Sequence, residues 1–183
     1  MPKRFELRLS GSGGQGLVLA GKIMAEAAAI YDGLNATQSQ SYGPEARGGS
    51  SRSEIIISDE EIDYPKAVSI DFMLAFTQEA CDKYCKDIKS NGTLLVDSRY
   101  VSNQPKGEFK VCAIPITDIA IKEAGKSLVA NIVALGIITE LTKAVSVEAM
   151  EAAIASRVPK GTEELNLKAF RAGIAAAQQQ KQA

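Results

Sequence analysis

A chain of 183 residues, of which 45% are hydrophobic and 23% charged, has the composition of an ordinary globular protein and can bury one sizeable core. Its formal net charge of −1 provides no field that would recruit nucleic acid or an anionic membrane. No apolar run is long enough to span a bilayer, and the first residues lead into a strand pattern rather than a signal peptide, so we expect a cytoplasmic protein.

Two features of the composition argue against an enzyme that acts alone. The chain has no histidine, which removes the usual general base and the commonest metal ligand. Cys81 and Cys85 fall on one helix face, and with Cys112 as the third cysteine no second pair completes a zinc or iron–sulfur site. We therefore expect reduced, buried or half-buried thiols, no metal site and no catalytic residue in this chain.

The chain opens with a strand, a glycine-rich loop and a helix. Residues 5–9 alternate apolar and charged side chains, which indicates a strand. The glycine loop, GSGGQG, occupies residues 11–16, and the alanine-rich segment 17–28 follows with helical spacing. This order of elements is the start of a parallel α/β unit.

Further strands are predicted from short apolar or alternating runs. A helix is expected at about residues 78–88, and Asn91-Gly92 has the composition of a turn. Pro115 places the last strand at an edge or exit of the sheet. The predicted strands are residues 34–38, 53–58, 71–76, 93–97 and 111–116.

From about residue 117 the chain is predicted to be mainly helical. A short helix is expected from Thr117 to Gly125, and another lies between the cap Ser146 and Pro159. Segment 128–141 is apolar on nearly every side, which indicates a helix buried in the domain or against another chain. Residues 1–183 are thus predicted to form a single α/β domain, with a Rossmann-like, mostly parallel sheet flanked by helices and a helical C-terminal part.

The spacing Gly-x-Gly-x-x-Gly at residues 11–16 lets a backbone turn tightly and approach a phosphate, with the N–H groups of the next helix facing its charge. A dinucleotide site would add an acidic residue about 20 positions further on, and residues 35–39 contain none. Because Leu17-Val18 follows the last glycine, the loop is not a Walker-type phosphate loop. Two interpretations stay open: close strand–helix packing, or a phosphate-bearing ligand bound with help from another chain.

A polar stretch, residues 39–53, separates the second and third predicted strands. It is rich in glycine and small hydroxyl side chains and contains Arg47 and Arg52. Long loops in compact domains are often functional, and an arginine can bind two oxygens of a phosphate or a carboxylate at once. The alternatives are ion pairs of these arginines with acids such as Glu45 or with a partner chain, and an ordinary surface loop.

The glycine loop, together with residues 38–49 (QSQSYGPEARGG), resembles the gamma subunit of 2-oxoacid:ferredoxin oxidoreductases. Residues 62–65 and 131–136 match the same family, and the likeness extends from about Leu7 to Gly173. The family includes a domain of pyruvate:ferredoxin oxidoreductase and a subunit of indolepyruvate oxidoreductase. A short separate gamma chain with these motifs most resembles that of the 2-oxoglutarate enzyme.

The resemblance implies an oxygen-sensitive, heteromeric oxidoreductase that decarboxylates a 2-oxoacid, forms an acyl-CoA and passes electrons through iron–sulfur clusters to ferredoxin. In such enzymes thiamine diphosphate and Mg lie between the alpha and beta subunits, and the clusters lie in beta or in a small ferredoxin-like delta subunit. The gamma subunit packs against alpha and beta and is not catalytic alone. We therefore expect these subunits as partners and no cofactor held by this chain alone.

The resemblance also leads us to expect that the chain shapes the side of the active site that binds coenzyme A. The glycine loop would receive phosphates of CoA, and the polar stretch would reach across the subunit boundary. The alternatives are a stand-alone Rossmann-like nucleotide-binding protein and a purely structural subunit, and segment 128–141 or an exposed edge could support a homodimer of the isolated chain. The expected cofactor-binding residues are Gly11, Gly13, Gly14, Gln15, Gly16, Tyr42, Arg47, Gly48 and Gly49.

Overall fold

The computed structural model describes residues 3–42 and 50–182, with the backbone alone at Tyr42 and Gln182. The strands are β1 (Phe5–Ser12), β2 (Asn35–Tyr42), β3 (Ser50–Ser58), β4 (Ile70–Ala75), β5 (Ile88–Asp97) and β6 (Lys110–Ile114). The helices are α1 (Leu17–Glu26), α2 (Gln78–Tyr84), α3 (Ile116–Ala124), α4 (Ala130–Thr142), α5 (Val147–Arg157) and α6 (Glu163–Gln182). Within these ranges, no helix is long and apolar enough to cross a bilayer.

The strands form one six-stranded sheet in the order β2-β3-β1-β4-β5-β6. Strands β1, β4, β5 and β6 are parallel, whereas β3 runs antiparallel to both of its neighbours. The predicted α/β class with a mostly parallel sheet is confirmed. The antiparallel strand was not predicted, and it places Ser50 opposite Ser12 and Ser51 opposite Gly11. The start of β3 therefore lies at the carboxyl edge of the sheet, where the parallel strands end.

Alternation along the strands separates the two faces of the sheet. Leu7 and Leu9 of β1 and Ile55 and Ile57 of β3 are buried in the larger core, which also contains α1 and the C-terminal helices. On the other face α2 covers a smaller cluster that includes Met73. Burying each large aliphatic side chain contributes about 1.5–3 kcal/mol, so both clusters stabilise the sheet.

Helix α4 lies in the larger core, and every residue from Ala130 to Glu140 is buried. It packs closely on α6 through two glycines. A Cβ on Gly136 would lie 2.0 Å from the Phe170 carbonyl oxygen, and one on Gly173 would lie 2.0 Å from the Val133 carbonyl oxygen. The predicted all-apolar helix is thus buried by its own chain. A homodimer of the isolated chain stays a prediction.

Two boundaries differ from the predictions. Asn91-Gly92 is not a turn but lies inside β5, where the pairing with β4 shifts register. Asn91 has a φ of 67° there, so the dipeptide supplies the positive-φ residue of an irregularity, and a strand between parallel neighbours needs no hairpin. Thr117 was predicted to cap helix α3, but the N-cap residue is Pro115 and the helix begins at Ile116.

Candidate functional site

The glycine loop lies at the carboxyl edge of the sheet, between the end of β1 and the start of α1. Gly14 has a φ of 88° and Gly16 a φ of 71°, a left-handed backbone that favours glycine. Gly16 is the N-cap of α1, where no side chain caps the helix and the first turn carries no acidic residue. The positive end of the helix dipole therefore lies behind the loop with no compensating charge from α1, which suits an anionic ligand.

The glycines of the loop fall into two groups. A Cβ on Gly11 would lie 2.2 Å from Oε1 of Gln15, and one on Gly16 would lie 2.4 Å from a side-chain nitrogen of α4, so these two positions are tightly packed. A Cβ on Gly13 or Gly14 would meet no atom within 4 Å. Close packing therefore accounts for the outer two glycines, whereas Gly13 and Gly14 leave space that a ligand can occupy.

Two amide side chains hold the loop. Gln15 Oε1 accepts a hydrogen bond of 2.8 Å from the Ser12 N–H. Asn131, buried in the first turn of α4, donates from Nδ2 to the Gly16 carbonyl oxygen at 3.1 Å and accepts at Oδ1 from the Ile132 N–H at 2.9 Å. Gln15 is thus a positioning residue as well as part of the loop. The sequence gives no local signal for the contact of Asn131, because 115 positions separate it from its partner.

A crevice of about 190 Å³ opens beside the loop. It lies where α1 and α2, which follow the neighbouring strands β1 and β4, pack on opposite faces of the sheet. Ligands of open α/β sheets usually bind at such a point. The residues that line the crevice include Gly14, Gln15, Phe76, Tyr100, Thr117 and Leu128.

Asp97, the last residue of β5, fixes two of the loops around the crevice. Its side chain is fully buried, and Oδ2 accepts hydrogen bonds from the Thr117 N–H at 3.0 Å and Oγ1 at 2.6 Å. Oδ1 accepts from the Arg99 N–H at 3.1 Å. Both carboxylate oxygens are therefore engaged by the protein. This role was not predicted, although an acidic residue at the end of a buried apolar strand is a usable signal.

A second cavity, of about 250 Å³ and mostly apolar, adjoins the crevice. The two share Leu128, which is 71% exposed, and the second cavity also reaches Gly16 and Asn131. Its apolar lining includes Ile132 and Leu165. The anion-binding end of α1 thus has an apolar compartment next to it.

Arg52 is separated from the crevice by the sheet. It lies on the face of β3 that α2 covers, with Nε 3.5 Å from Glu54 Oε1 and its guanidinium over the ring of Tyr84. The glycine loop leads to α1 on the opposite face. Within the crevice itself Arg52 is therefore not available as a ligand, and its contact with Glu54 agrees with the ion-pair alternative.

Four further site residues were predicted in the polar stretch, and the structure describes the backbone of one of them, Tyr42. Tyr42 is the last residue of β2 and pairs with Ser51 of β3, so β2 ends at the same edge as the glycine loop. Arg47, Gly48 and Gly49 lie outside the described residues. Cofactor binding by these four residues stays a prediction.

The antiparallel β3 also bears on the missing acidic residue. In a dinucleotide-binding fold the strand beside β1 is parallel to it and ends next to the glycine loop with the acid that binds the ribose. Here that place is taken by the start of β3, with Ser50 and Ser51 paired to the end of β1. This arrangement argues against the alternative of a stand-alone Rossmann-like nucleotide-binding protein.

The thiols offer no reactive group. Cys81 and Cys112 are buried, Cys85 is half-buried, and all three are free. Burial raises the pKa of Cys81 to about 11, and it also raises the pKa of Cys85 and of Cys112. All three therefore stay protonated at neutral pH, which disfavours both nucleophilic attack and metal ligation. In the described ranges, no group of three His, Cys, Asp or Glu side chains could hold a metal ion.

Residues 6–176 match the family model described as pyruvate ferredoxin/flavodoxin oxidoreductase. The chain is similar to the 2-oxoglutarate synthase subunit KorC of Methanocaldococcus jannaschii, with 53% identity over 178 residues that cover 96% of this chain and 95% of the relative. It is similar to the crystal structure of the keto/oxoacid ferredoxin oxidoreductase gamma subunit from Geobacter sulfurreducens, with a TM-score of 0.87, 55% identity and coverage of 96% of this chain and 99% of that chain. The fold is also similar to 2-oxoglutarate:ferredoxin oxidoreductase from Magnetococcus marinus with 2-oxoglutarate, coenzyme A and succinyl-CoA bound, with a TM-score of 0.86, 24% identity and coverage of 98% of this chain and 32% of that chain.

Proposed function

This chain belongs to the pyruvate ferredoxin/flavodoxin oxidoreductase family as a subunit of a 2-oxoacid:ferredoxin oxidoreductase, and we propose that its enzyme acts on 2-oxoglutarate and that its glycine loop binds coenzyme A. The predicted family resemblance and the predicted role as an enzyme subunit are confirmed. The substrate and the CoA site go further than the family, and each is supported by its own observation.

The CoA proposal is carried by the open space at Gly13 and Gly14 over an uncapped helix N-terminus. Coenzyme A contains a diphosphate, and the backbone N–H groups at such a terminus can bind its oxygens. The cavities on either side of Leu128 offer room for the uncharged parts of the same molecule. The Magnetococcus marinus enzyme, which shares this fold over part of its chain, has CoA and succinyl-CoA bound and supports the proposal. When bound, CoA supplies the thiol that accepts the acyl group.

The substrate proposal is supported by the Methanocaldococcus jannaschii relative, which is a subunit of 2-oxoglutarate synthase. We assign recognition of the 2-oxoacid mainly to the alpha subunit. In the assembled enzyme we expect kcat/KM for 2-oxoglutarate to exceed that for pyruvate on the order of 100-fold, because a site built to pair a second carboxylate rejects an analogue that lacks it. A preference for pyruvate would contradict the proposal that 2-oxoglutarate is the substrate.

The partners that we infer are the alpha and beta subunits and, where the enzyme has one, a ferredoxin-like delta subunit. Thiamine diphosphate, Mg and the iron–sulfur clusters would be held by these subunits, since the described part of this chain offers no grouped metal ligands and its thiols have raised pKa values. Electrons would leave the complex to ferredoxin. The cytoplasm is the proposed location.

Two glycine substitutions in the assembled enzyme test the CoA site. Gly13→Val fills space that no protein atom uses, so we expect the KM for CoA to rise by roughly tenfold, the loss of about 1.4 kcal/mol of binding energy, while the melting temperature stays unchanged. Gly16→Ala, which adds a Cβ against Asn131 at a left-handed position, is expected to lower the melting temperature. If the Gly13→Val complex assembled and its KM for CoA were unchanged, the CoA proposal would be wrong. The alternative of a purely structural subunit would then remain.

A further inference from the structure

The two outer strands of the sheet, β6 and β2, differ in how their free edges are protected. Strand β6 is five residues long, begins at the exposed Lys110 and is followed directly by Pro115. Short length, a lysine and a proline are features that keep an edge strand from pairing with another chain. Strand β2 is eight residues long and has none of these features, because it contains no charged residue and no proline.

The backbone of β2 is regular along its whole length. Each of its eight residues pairs with one residue of β3, from Asn35 opposite Ser58 to Tyr42 opposite Ser51, with no bulge. Among the described residues, its backbone forms no hydrogen bond with any main chain but that of β3. An edge strand leaves every second N–H and C=O unpaired on its outer side, so β2 offers a regular row of donors and acceptors.

Residues 35–39 form the half of this edge that is remote from the glycine loop. They lie toward the amino edge of the sheet, whereas residues 43–49, outside the described ranges, join β2 to β3 at the carboxyl edge. Their side chains are exposed or half-buried and carry no charge. Asp32, the nearest preceding charged residue, accepts hydrogen bonds from the Ser146 N–H at 2.7 Å and Oγ at 2.6 Å. This half of the edge is therefore uncharged along its own strand.

Two exposed apolar side chains precede the same half of the strand. Ile30 and Tyr31 end the helical turn Ala27–Tyr31, which follows α1 and lies beside β2, and they are 71% and 44% exposed. Large apolar side chains next to an unprotected strand edge are typical of a surface that binds another protein. The strand edge supplies main-chain hydrogen bonds and these side chains supply apolar area, which is the mode of binding by strand addition.

The side chains of β2 suit a second copy of the same strand. Asn35, Thr37 and Ser39 share one face, because alternate residues of a strand do so. Each of the three can both donate and accept hydrogen bonds, so any of them is a suitable cross-strand neighbour for itself or for the others. Two identical uncharged strands also meet without like-charge repulsion. Antiparallel pairing about a two-fold axis gives both copies the same contacts.

We propose that residues 35–39 of β2 pair antiparallel with the same residues of a second copy of this chain, and that Ile30 and Tyr31 flank the pair. A two-fold axis perpendicular to the sheet would join the two sheets into one and keep α1 of both copies on the same face. The two glycine loops would lie at opposite ends of the new strand pair, since each lies at the carboxyl edge of its own sheet. This contact is independent of the proposed CoA binding.

Sedimentation equilibrium of the purified chain at up to about 100 μM tests the association, and we expect a species of twice the monomer mass. Ser39→Lys places a charge on the edge of each copy and should raise the Kd of the dimer on the order of tenfold. Ile30→Asp should also raise the Kd. The matched controls are Gln179→Lys, at an exposed position of α6, and Leu128→Asp, where the leucine is 71% exposed like Ile30. Both controls should leave the Kd unchanged.

Cysteine crosslinking locates the contact. A two-fold axis brings a central residue next to its own copy, so Thr37→Cys or Ser39→Cys is expected to form an intermolecular disulfide on oxidation. Ser102→Cys, at an exposed position after β5, and the wild-type chain with its three free cysteines should form none.

A monomeric chain at the highest concentration would overturn the inference. It would also be overturned by a dimer that neither edge variant weakens, or that no edge cysteine crosslinks. If the chain were monomeric and the β2 amides were protected from hydrogen exchange only in the assembled enzyme, the pairing strand would belong to a partner subunit and not to a second copy.

Discussion

Two buried polar side chains set the shape of the carboxyl edge. Asn131 joins α4 to the glycine loop at the Gly16 carbonyl, and Asp97 ties the chain after β5 to the first turn of α3 through Thr117. Each is buried with its polar atoms paired, and removal of one partner from such a pair costs about 1–3 kcal/mol. The loop is therefore held by specific donors and acceptors rather than by apolar packing alone.

Substitution of Asn131 should show that its Nδ2 acts as a donor. Asn131→Ala removes the hydrogen bond to the Gly16 carbonyl, and we expect it to lower the free energy of unfolding by about 1–2 kcal/mol. Asn131→Asp should cost more, because a carboxylate oxygen would then face that carbonyl in a buried site. Urea unfolding of both variants measures the difference. Equal losses would contradict the donor role.

At the scale of elements, the contact between α4 and α6 organises the larger core. Gly136 and Gly173 let the two backbones approach until a Cβ on either would overlap the other helix. The C-terminal ends of the same helices are joined by Glu140, which pairs with Lys143 at 2.6 Å and Lys181 at 2.9 Å. Backbone proximity at the centre and ion pairs at the end thus fix α6 against α4.

Alanine substitutions at the helix contact should be costly. Gly136→Ala or Gly173→Ala places a Cβ 2.0 Å from a backbone oxygen, so the helices must separate, and we expect a loss of about 1–3 kcal/mol. Gly13→Ala makes the same chemical change with no atom within 4 Å and is the control, expected within about 0.5 kcal/mol of wild type. Thermal unfolding distinguishes them, and equal melting temperatures for all three variants would be evidence against close packing.

The ion pairs of Glu140 should make stability depend on pH. Hydrogen bonds from Lys143 and Lys181 lower the pKa of Glu140 from 4.5 to about 2. Because the folded-state pKa is lower, this stabilisation is present above pH 4.5 and disappears as the pH falls to about 2. Both lysines are substantially exposed, so we expect Glu140→Gln to cost only about 1 kcal/mol at pH 7 and almost nothing near pH 2. A cost that is the same at both pH values in urea unfolding would refute this.

At the scale of the whole molecule, local sequence signals located the elements but not their arrangement. Apolar runs and turn residues identified all six strands, because burial and turn chemistry are properties of short segments. The antiparallel β3 depends on pairing between distant segments, which no local pattern encodes. The same holds for Asn131 at the loop and for Arg8, whose partner Asp87 is 79 positions away. The turn predicted at Asn91-Gly92 was wrong, because the positive φ that Asn91 adopts serves an irregularity inside a strand.

The arrangement as a whole explains how a chain without histidine can belong to an enzyme. The carboxyl edge presents an uncapped helix N-terminus and two adjoining cavities, and the described thiols have raised pKa values. Such a surface can bind and orient an anionic ligand. We expect the chemistry to reside in the partner subunits and the CoA contacts to reside in part here.

Photolabelling of the assembled enzyme with a diazirine-bearing CoA analogue tests most directly whether this chain contacts CoA at its glycine loop. Trypsin cleaves after Arg8 and Lys22, so one peptide, residues 9–22, contains the whole loop. We predict labelling of this peptide, competition by unlabelled CoA and weaker labelling in Gly13→Val. Labelling confined to the partner subunits of an active complex would contradict the account.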